Sequence, residues 1–259
     1  MATVDNWDSN AYDMGSHMQN FCANKILAEY AFGDNLNILD LGCGDGKNTA
    51  NILNYAPTAT ILGIDRSPQM ITSAKAKYAT AFLSFEQKDI THLDIHKKFD
   101  LVVTFFCLDW IKDQLSLQQK IYQSLKPKGR TLYVISTGKD DVAKIVEAVA
   151  KGEKWALILK DHSIPAGLHK AEDYRSFMEQ AGLTISAFDV IHIPVELPHV
   201  DLFYQFIAAL PLFADILTAE KNDEIARDIT IAFQKHCEEK YQGKLICVGE
   251  MIIAKAYRA

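Results

Sequence analysis

The sequence predicts an α/β fold: a doubly wound, seven-stranded, mostly parallel sheet carrying a helical cap. Three observations lead there. From residue 36 to 135, apolar β-type runs alternate with helical patterns, as a parallel sheet covered on both faces requires. Strands separated in this way need four crossovers within that stretch, which is the doubly wound arrangement. The first run also ends in a glycine turn that leads into a helix.

Taken in order, strands are expected at Leu36–Leu41, Thr60–Asp65, Ala81–Gln87, Asp100–Phe105 and Arg130–Ile135. Ser67-Pro68 reads as a helix N-cap followed by proline at the first helical position, opening a helix to about Tyr78. Lys126-Pro127-Lys128-Gly129 reads as turn punctuation before the fifth strand. Further on, Tyr174, Phe177, Met178 and Ala181 recur at helical spacing, with Gly182 as the C-terminal stop. Ile185–Val195 then reads as a strand. Ile225, Ile229, Phe233 and His236 mark a helix ending near Tyr241, and Leu245–Ala254 reads as a last, antiparallel strand near the sheet's edge. Residues 140–168 and 198–241 break the alternation, and their aromatics (Trp155, Phe203, Tyr204, Phe206, Phe213) suggest cap insertions packed over the sheet. The expected organisation is an N-terminal helical segment, 1–35, closing the active site, and one domain spanning 36–259.

Composition narrows the function. The 259 residues carry 27 basic against 33 acidic side chains, a net charge of −6, which disfavours a binder of nucleic-acid phosphates. The five cysteines (Cys22, Cys43, Cys107, Cys237, Cys247) form no C-x-x-C pair, so neither a disulfide framework nor a cysteine zinc site fits. Met1-Ala2-Thr3-Val4-Asp5 lacks a basic region followed by an apolar run, so no secretory signal is read. No apolar stretch reaches the ~18 residues of a membrane span. The expectation is a reduced, cytoplasmic protein.

The sharpest motif is Ile38-Leu39-Asp40-Leu41-Gly42-Cys43-Gly44-Asp45-Gly46. Glycines after a strand permit positive φ and let a ligand approach the backbone. Asp65, at the end of the second strand, is placed to accept ribose hydroxyls, which points to a nucleoside. The third glycine comes one residue early for a dinucleotide fingerprint, and Asp40 and Asp45 set negative charge where a pyrophosphate would lie. Those carboxylates suit a cationic ligand bearing an ammonium group.

With D-x-G-x-G-x-G given by Asp40 to Gly46, the chain resembles the class I S-adenosylmethionine-dependent methyltransferases, strongly over residues 36–135. The resemblance implies S-adenosyl-L-methionine as cofactor and S-adenosyl-L-homocysteine as its product. It implies that Asp65 holds the ribose, that Asp89 in Gln87-Lys88-Asp89-Ile90 takes the adenine amino group, and that the Ile90 N–H faces the ring. It assigns Thr104, Phe105 and Phe106 to the methionine portion. Gly42, Cys43, Gly44 and Gly46 join Asp40 in the cofactor loop, with Arg66 beside the ribose and Tyr12 from the N-terminal segment. Leu125-Lys126-Pro127-Lys128-Gly129 also looks like that family's approach to its fifth strand.

The segment after the fourth strand bears on the acceptor. Phe105-Phe106-Cys107-Leu108-Asp109-Trp110 is unlike the N/D-P-P-Y/F tetrapeptide of enzymes that methylate adenine or glutamine nitrogens. No His/carboxylate cluster has metal-ligand spacing, so no metal is expected. Trp7, Tyr12, Gln19 and Cys-Leu-Asp-Trp together are similar to the small-molecule carboxyl methyltransferases related to juvenile hormone acid and trans-aconitate methyltransferases. In the juvenile hormone branch a Tyr is followed seven residues later by a Gln, and a Leu-His-Trp comes after strand four. There the Gln amide and the Trp indole hold the substrate carboxylate, which implies those roles for Gln19 and Trp110. This chain has Asp109 where that family usually has His. Chemically, a carboxylic acid is already ionised at neutral pH, so no base is needed. What the site must supply is orientation of one oxygen towards the methyl, at about 3 Å.

The acceptor is therefore expected to be a small, largely apolar acid. Three alternatives stand beside it. One is a hydroxyl or amine acceptor, for which His17 is the candidate base. Another is an acyl group tethered to an acyl carrier protein, approached over Lys151, Lys154 and Lys160. The last is a cofactor-binding regulator that transfers nothing.

Overall fold

Alternation along the central strands sorts side chains onto two faces, and this sorting builds the molecule. The computed structural model describes residues 12, 15–160, 162, 164 and 169–259. Trp7, the beginning of the 1–35 segment and part of the 140–168 stretch lie outside the described residues. Strands β1 (Asn37–Leu41), β2 (Thr60–Asp65), β3 (Leu83–Gln87), β4 (Phe99–Phe105) and β5 (Leu125–Ser136) pair in parallel. β6 (Leu183–Glu196) and β7 (Ile246–Arg258) complete a seven-stranded sheet of order β3-β2-β1-β4-β5-β7-β6. This is the expected doubly wound sheet. Strand order reverses between β1 and β4, and in such sheets ligands bind beyond the carboxyl ends of the strands at that reversal.

On one face Leu101, Val103, Leu132 and Val134 pack with α1 (His17–Ala28), α2 (Lys47–Ile52), α5 (Asp141–Ala150), α7 (Asp201–Ala209) and α8 (Ala219–Tyr241). On the other, Val102, Tyr133 and Ile135 pack with α4 (Gln114–Ser124) and α6 (Ala171–Gln180), through Leu117, Ile121, Tyr174 and Met178. The 101/103 and 102 split is the period-2 rule of a pleated strand. Between β2 and β3, α3 (Pro68–Tyr78) starts where Ser67 Oγ accepts from the Met70 N–H at 3.2 Å, with Pro68 in the first turn.

Two differences from the sequence reading have physical causes. β5 starts at Leu125, ahead of the Pro-Lys-Gly turn, because that turn is a bulge within the strand. Leu125 pairs with Phe99, and pairing resumes at Arg130 with Leu101. Pro127 has no N–H to give the ladder and Lys128 takes φ +64°, so the extra residues loop out without ending the pairing. β7 is antiparallel, but it lies one strand in from the edge, between β5 and β6. Its run Met251–Ala254 is buried, whereas β6 is mostly exposed or half-buried, with only Leu183, Ile193 and Val195 buried, as suits an edge strand.

The helices over the first face are joined by aromatics. Phe203 of α7 stacks on Phe233 of α8 with ring centroids 3.8 Å apart and planes within 6°. Trp155 Nε1 donates to Asp228 Oδ2 at 2.8 Å. Phe233→Leu removes the stacked ring but keeps much of the volume. A loss of about 1.5 kcal/mol is expected, read as a Tm lower by roughly 3–6 °C. Among the described residues no helix is long and apolar enough to cross a membrane.

Candidate active site

The glycine turn follows β1 directly. Gly42 and Cys43 donate their N–H groups to Ile64 O at 2.9 and 3.0 Å, which folds the turn onto the end of β2. Gly42 has φ +70°, and a Cβ there would run into the Cys107 side chain, 2.6 Å from its Cβ. Gly44, at φ +53°, donates its N–H to Asp65 Oδ2 at 3.0 Å, while Asp65 Oδ1 accepts from Ser67 N at 2.8 Å. Asp65 therefore ties the glycine turn to the start of α3. Asp89, after β3, accepts from the Thr91 amide and hydroxyl at 2.8 and 2.7 Å. Partial burial works against its ionisation, but the Thr91 bonds outweigh it and hold this carboxyl below the usual carboxylate range.

A cavity lies over these groups. Tyr12, Gly42, Gly44, Asp65, Arg66, Asp89, Ile90, Phe105 and Phe106 are on its wall. With carboxylates at two strand ends and glycine backbone between them, its donor and acceptor set suits a nucleoside. The other residues expected there are placed differently. Asp40 is buried behind the turn, with Oδ2 accepting from Thr49 Oγ1 at 2.6 Å, and burial pushes its carboxyl up to about 7 despite that bond. It shows no face to the cavity, so the expectation of its charge beside a ligand gives way to a hydrogen bond that fixes α2 on β1. Thr104 donates to Leu41 O at 2.9 Å, joining β4 to β1. Cys43 is buried, and Gly46 caps α2 at φ +84°, both off the cavity wall.

After β4 the chain turns sharply. Phe106, a non-glycine residue at φ +54°, donates its N–H to Val134 O at 2.8 Å. A left-handed backbone at such a residue costs of order 1–3 kcal/mol and persists where its surroundings hold it. The turn leads through Cys107 into a 3-10 turn at Leu108–Trp110. Phe106 and Trp110 consequently stand on the wall of the first cavity and of a second, larger one of about 550 Å³.

The second cavity lies between α1, α5 and α7. Met18, Gln19 and Cys22 line it from α1, Val142 and Val146 from α5, and Phe206 and Ile207 from α7. Gln19 and Trp110, predicted from separate parts of the chain, are thus on one cavity. Gln19 Oε1 is buried there without a hydrogen-bond partner among the described residues. His17 is exposed and lines neither cavity. It is one position, ~100° of helix rotation, from the buried Met18, and this turns it away from the site. Lys151 and Lys160 are on the larger cavity's wall, but Lys151 pairs with Glu147 at 2.5 Å. Lys154 pairs with Glu224 and Asp228 at 2.9 and 2.6 Å, so its charge is balanced locally.

Asp109, which sequence reasoning noted only as a departure from a pattern, is on the same wall and 3% exposed. Its Oδ1 has no hydrogen-bond partner among the described residues, and burial pushes its carboxyl up to about 7. The signal available in the sequence was an acid inside an otherwise apolar run. Among the described residues no group of three or more His, Cys, Asp or Glu could hold a metal ion.

The methyltransferase-domain family matches residues 32–193, more than half of the chain. Protein 235L of Invertebrate iridescent virus 6, a methyltransferase by name, is 28% identical over 213 residues, covering 82% of this chain and 79% of its own. The malonyl-[acyl-carrier protein] O-methyltransferase of Acetivibrio thermocellus is 33% identical over 46% of this chain and 42% of its own. The trans-aconitate 2-methyltransferase of Deinococcus radiodurans is 38% identical over 36% of this chain and 34% of its own. The chain thus matches less than half the length of these last two. A Bacillus halodurans structure described as a methyltransferase shares the fold, with TM-score 0.61 and 17% identity over 91% of this chain and 98% of its own.

Proposed function

Since this chain belongs to the methyltransferase-domain family and is an S-adenosylmethionine-dependent methyltransferase, we propose that it esterifies a carboxylate oxygen of a small, largely apolar acid. The observation that carries this reading is the meeting of Gln19 and Trp110 on one mainly apolar cavity that shares a wall with the glycine-turn cavity. Two relatives named for methyl transfer to trans-aconitate and to malonyl-[acyl-carrier protein] support an acid as acceptor.

In this reading Asp65 takes the ribose, Asp89 and the Ile90 N–H take the adenine, and Phe105 and Phe106 border the methionine portion. Bound there, S-adenosylmethionine supplies an electrophilic methyl group on a positively charged sulfur. The Gln19 amide and the Trp110 indole N–H orient the acceptor carboxylate. As neutral donors they fix one oxygen and leave the other its nucleophilicity, and the acid needs no base because it is already ionised. Apolar walls keep water from competing. Residues 1–35 and the 140–168 and 198–241 stretches serve as the closure, a reading supported by Met18 and Cys22 of α1 and Phe213 on the same wall.

A hydroxyl or amine acceptor draws less support from His17, which lines neither cavity; its base would have to be another group on the larger cavity's wall, such as Asp109 or His162. A carrier-tethered acid is favoured by the malonyl-[acyl-carrier protein] relative, although the pairing of Lys151 and Lys154 weakens a basic landing surface for the carrier.

The test is methyl transfer from labelled S-adenosylmethionine to carboxylic acids, each paired with its alcohol and amide analogue, with one acid also supplied on a carrier protein. Labelled ester is expected from the acids alone. Gln19→Ala is expected to lower kcat/KM about 10- to 100-fold, the worth of a hydrogen bond to a charged group, with cofactor affinity unchanged. Transfer confined to alcohols or amines would refute the carboxylate reading.

A further inference from the structure

We propose that Asp109 works in its protonated form, donating a hydrogen bond from its carboxyl O–H to the acceptor's carboxylate alongside Gln19 and Trp110. This rests on the carboxylate reading above and deepens it.

Geometry carries the inference. Asp109 sits between Leu108 and Trp110 in the turn after β4, is almost wholly buried, and lines the acceptor cavity. Its Oδ1 has no partner among the described residues, and leaving a buried polar oxygen unmatched costs of order 1–3 kcal/mol unless a ligand meets it. An ionised Asp109 would repel the acceptor, whereas one proton held between two carboxyl groups turns repulsion into a hydrogen bond. Its surroundings favour the proton. The groups that feel its charge are Cys107 on its own turn, Tyr12 from the N-terminal segment and Tyr174 of α6; burial raises all three, and the charge of Asp109 adds to the rise. None of them is a cation that would stabilise the carboxylate. The other acidic and basic side chains on the cavity wall are Asp140, Glu147, Glu250, Lys151, Lys160 and His162, beside the thiols of Cys22 and Cys247. Burial places the free carboxyl at about 7, and an incoming carboxylate raises it further. Asp109 keeps the same proton before and after methyl transfer.

The test compares wild type with Asp109→Asn, whose amide offers an N–H donor at every pH in the same volume. Wild-type kcat/KM for an acid is expected to fall as pH rises above the Asp109 pKa, approaching tenfold per unit. The Asp109→Asn profile is expected to be flat over that range and to retain activity, whereas Asp109→Leu loses about 10- to 100-fold throughout. Calorimetry at about pH 8 in buffers of different ionisation enthalpy, with S-adenosylhomocysteine present, reads proton uptake directly. Close to one proton taken up per acid bound is expected in wild type and none in Asp109→Asn.

Acids esterified without proton uptake, or an Asp109→Asn profile that keeps the alkaline decline, would overturn this inference alone. Activity that rises with pH and vanishes in Asp109→Asn would make Asp109 a base for a hydroxyl or amine. That outcome, or an absence of ester from wild type at any pH, would overturn both this inference and the carboxylate reading.

Discussion

Asp65→Ala is expected to weaken S-adenosylmethionine binding by roughly two to three orders of magnitude. The carboxylate does two jobs at once. Its oxygens accept from Gly44 N at 3.0 Å and Ser67 N at 2.8 Å, so it holds the glycine turn against the start of α3 while forming part of the cavity wall. Truncation deprives a ligand of its hydroxyl acceptor and frees the turn whose backbone the ligand must meet. Asp65→Asn separates the two losses, because an amide oxygen still accepts from one N–H while its NH₂ opposes the other. An affinity between wild type and alanine is therefore expected. Titration calorimetry measures both, and a near wild-type Kd for Asp65→Ala would remove this residue from the cofactor site.

Gly42→Ala is expected to cost about 3 kcal/mol, read as a Tm lower by roughly 6–12 °C. Two penalties combine there. The backbone is left-handed, and the new methyl would collide with Cys107, whose Cβ is 2.6 Å from the position it would occupy. Cys107 is itself held by the left-handed step at Phe106, so it cannot withdraw cheaply. In a Cys107→Gly background the collision is relieved, so adding Gly42→Ala there should cost only the conformational penalty, about 1 kcal/mol relative to Cys107→Gly alone. A cost below that for Gly42→Ala alone would mean that the turn and the post-β4 segment are not in contact.

Local signals are legible in the sequence, and those that depend on distant pairing are not. β2 and the Ser67-Pro68 helix start came out residue for residue, because a cap and a proline at the first turn act within a few positions. The Pro-Lys-Gly run before β5 reads as a turn on composition alone. Only the pairing of Leu125 with Phe99 across the sheet makes it a bulge. The seating of β7 inside β6 likewise depends on which strand pairs with β5, a contact that spans more than a hundred positions and leaves no periodic trace.

The site divides in the same way. Spacing alone puts Gly42, Gly44, Asp65 and Asp89 at the strand ends where the structure has them lining the first cavity. Asp40 and Thr104 share the same strand ends, but their side chains point into hydrogen bonds between elements, a choice of direction that residue type does not reveal. His17 and Gln19 differ by two positions on one helix, and only the rotation of α1 against the sheet decides which of them meets the cavity. Asp109 is visible in the sequence as an acid in apolar company, but its burial on the cavity wall is imposed by tertiary packing alone.

The wall formed by Phe106 and Trp110 has a thermodynamic consequence. Each residue faces both cavities, so a molecule that fixes either ring on one side alters the surface offered on the other. Occupancy of the two cavities is therefore expected to be linked, and linkage is reciprocal: whatever factor one ligand contributes to the other's affinity is returned in full. Removing part of that shared wall, as Trp110→Ala does, should change this factor, and by the same amount whichever ligand is titrated first.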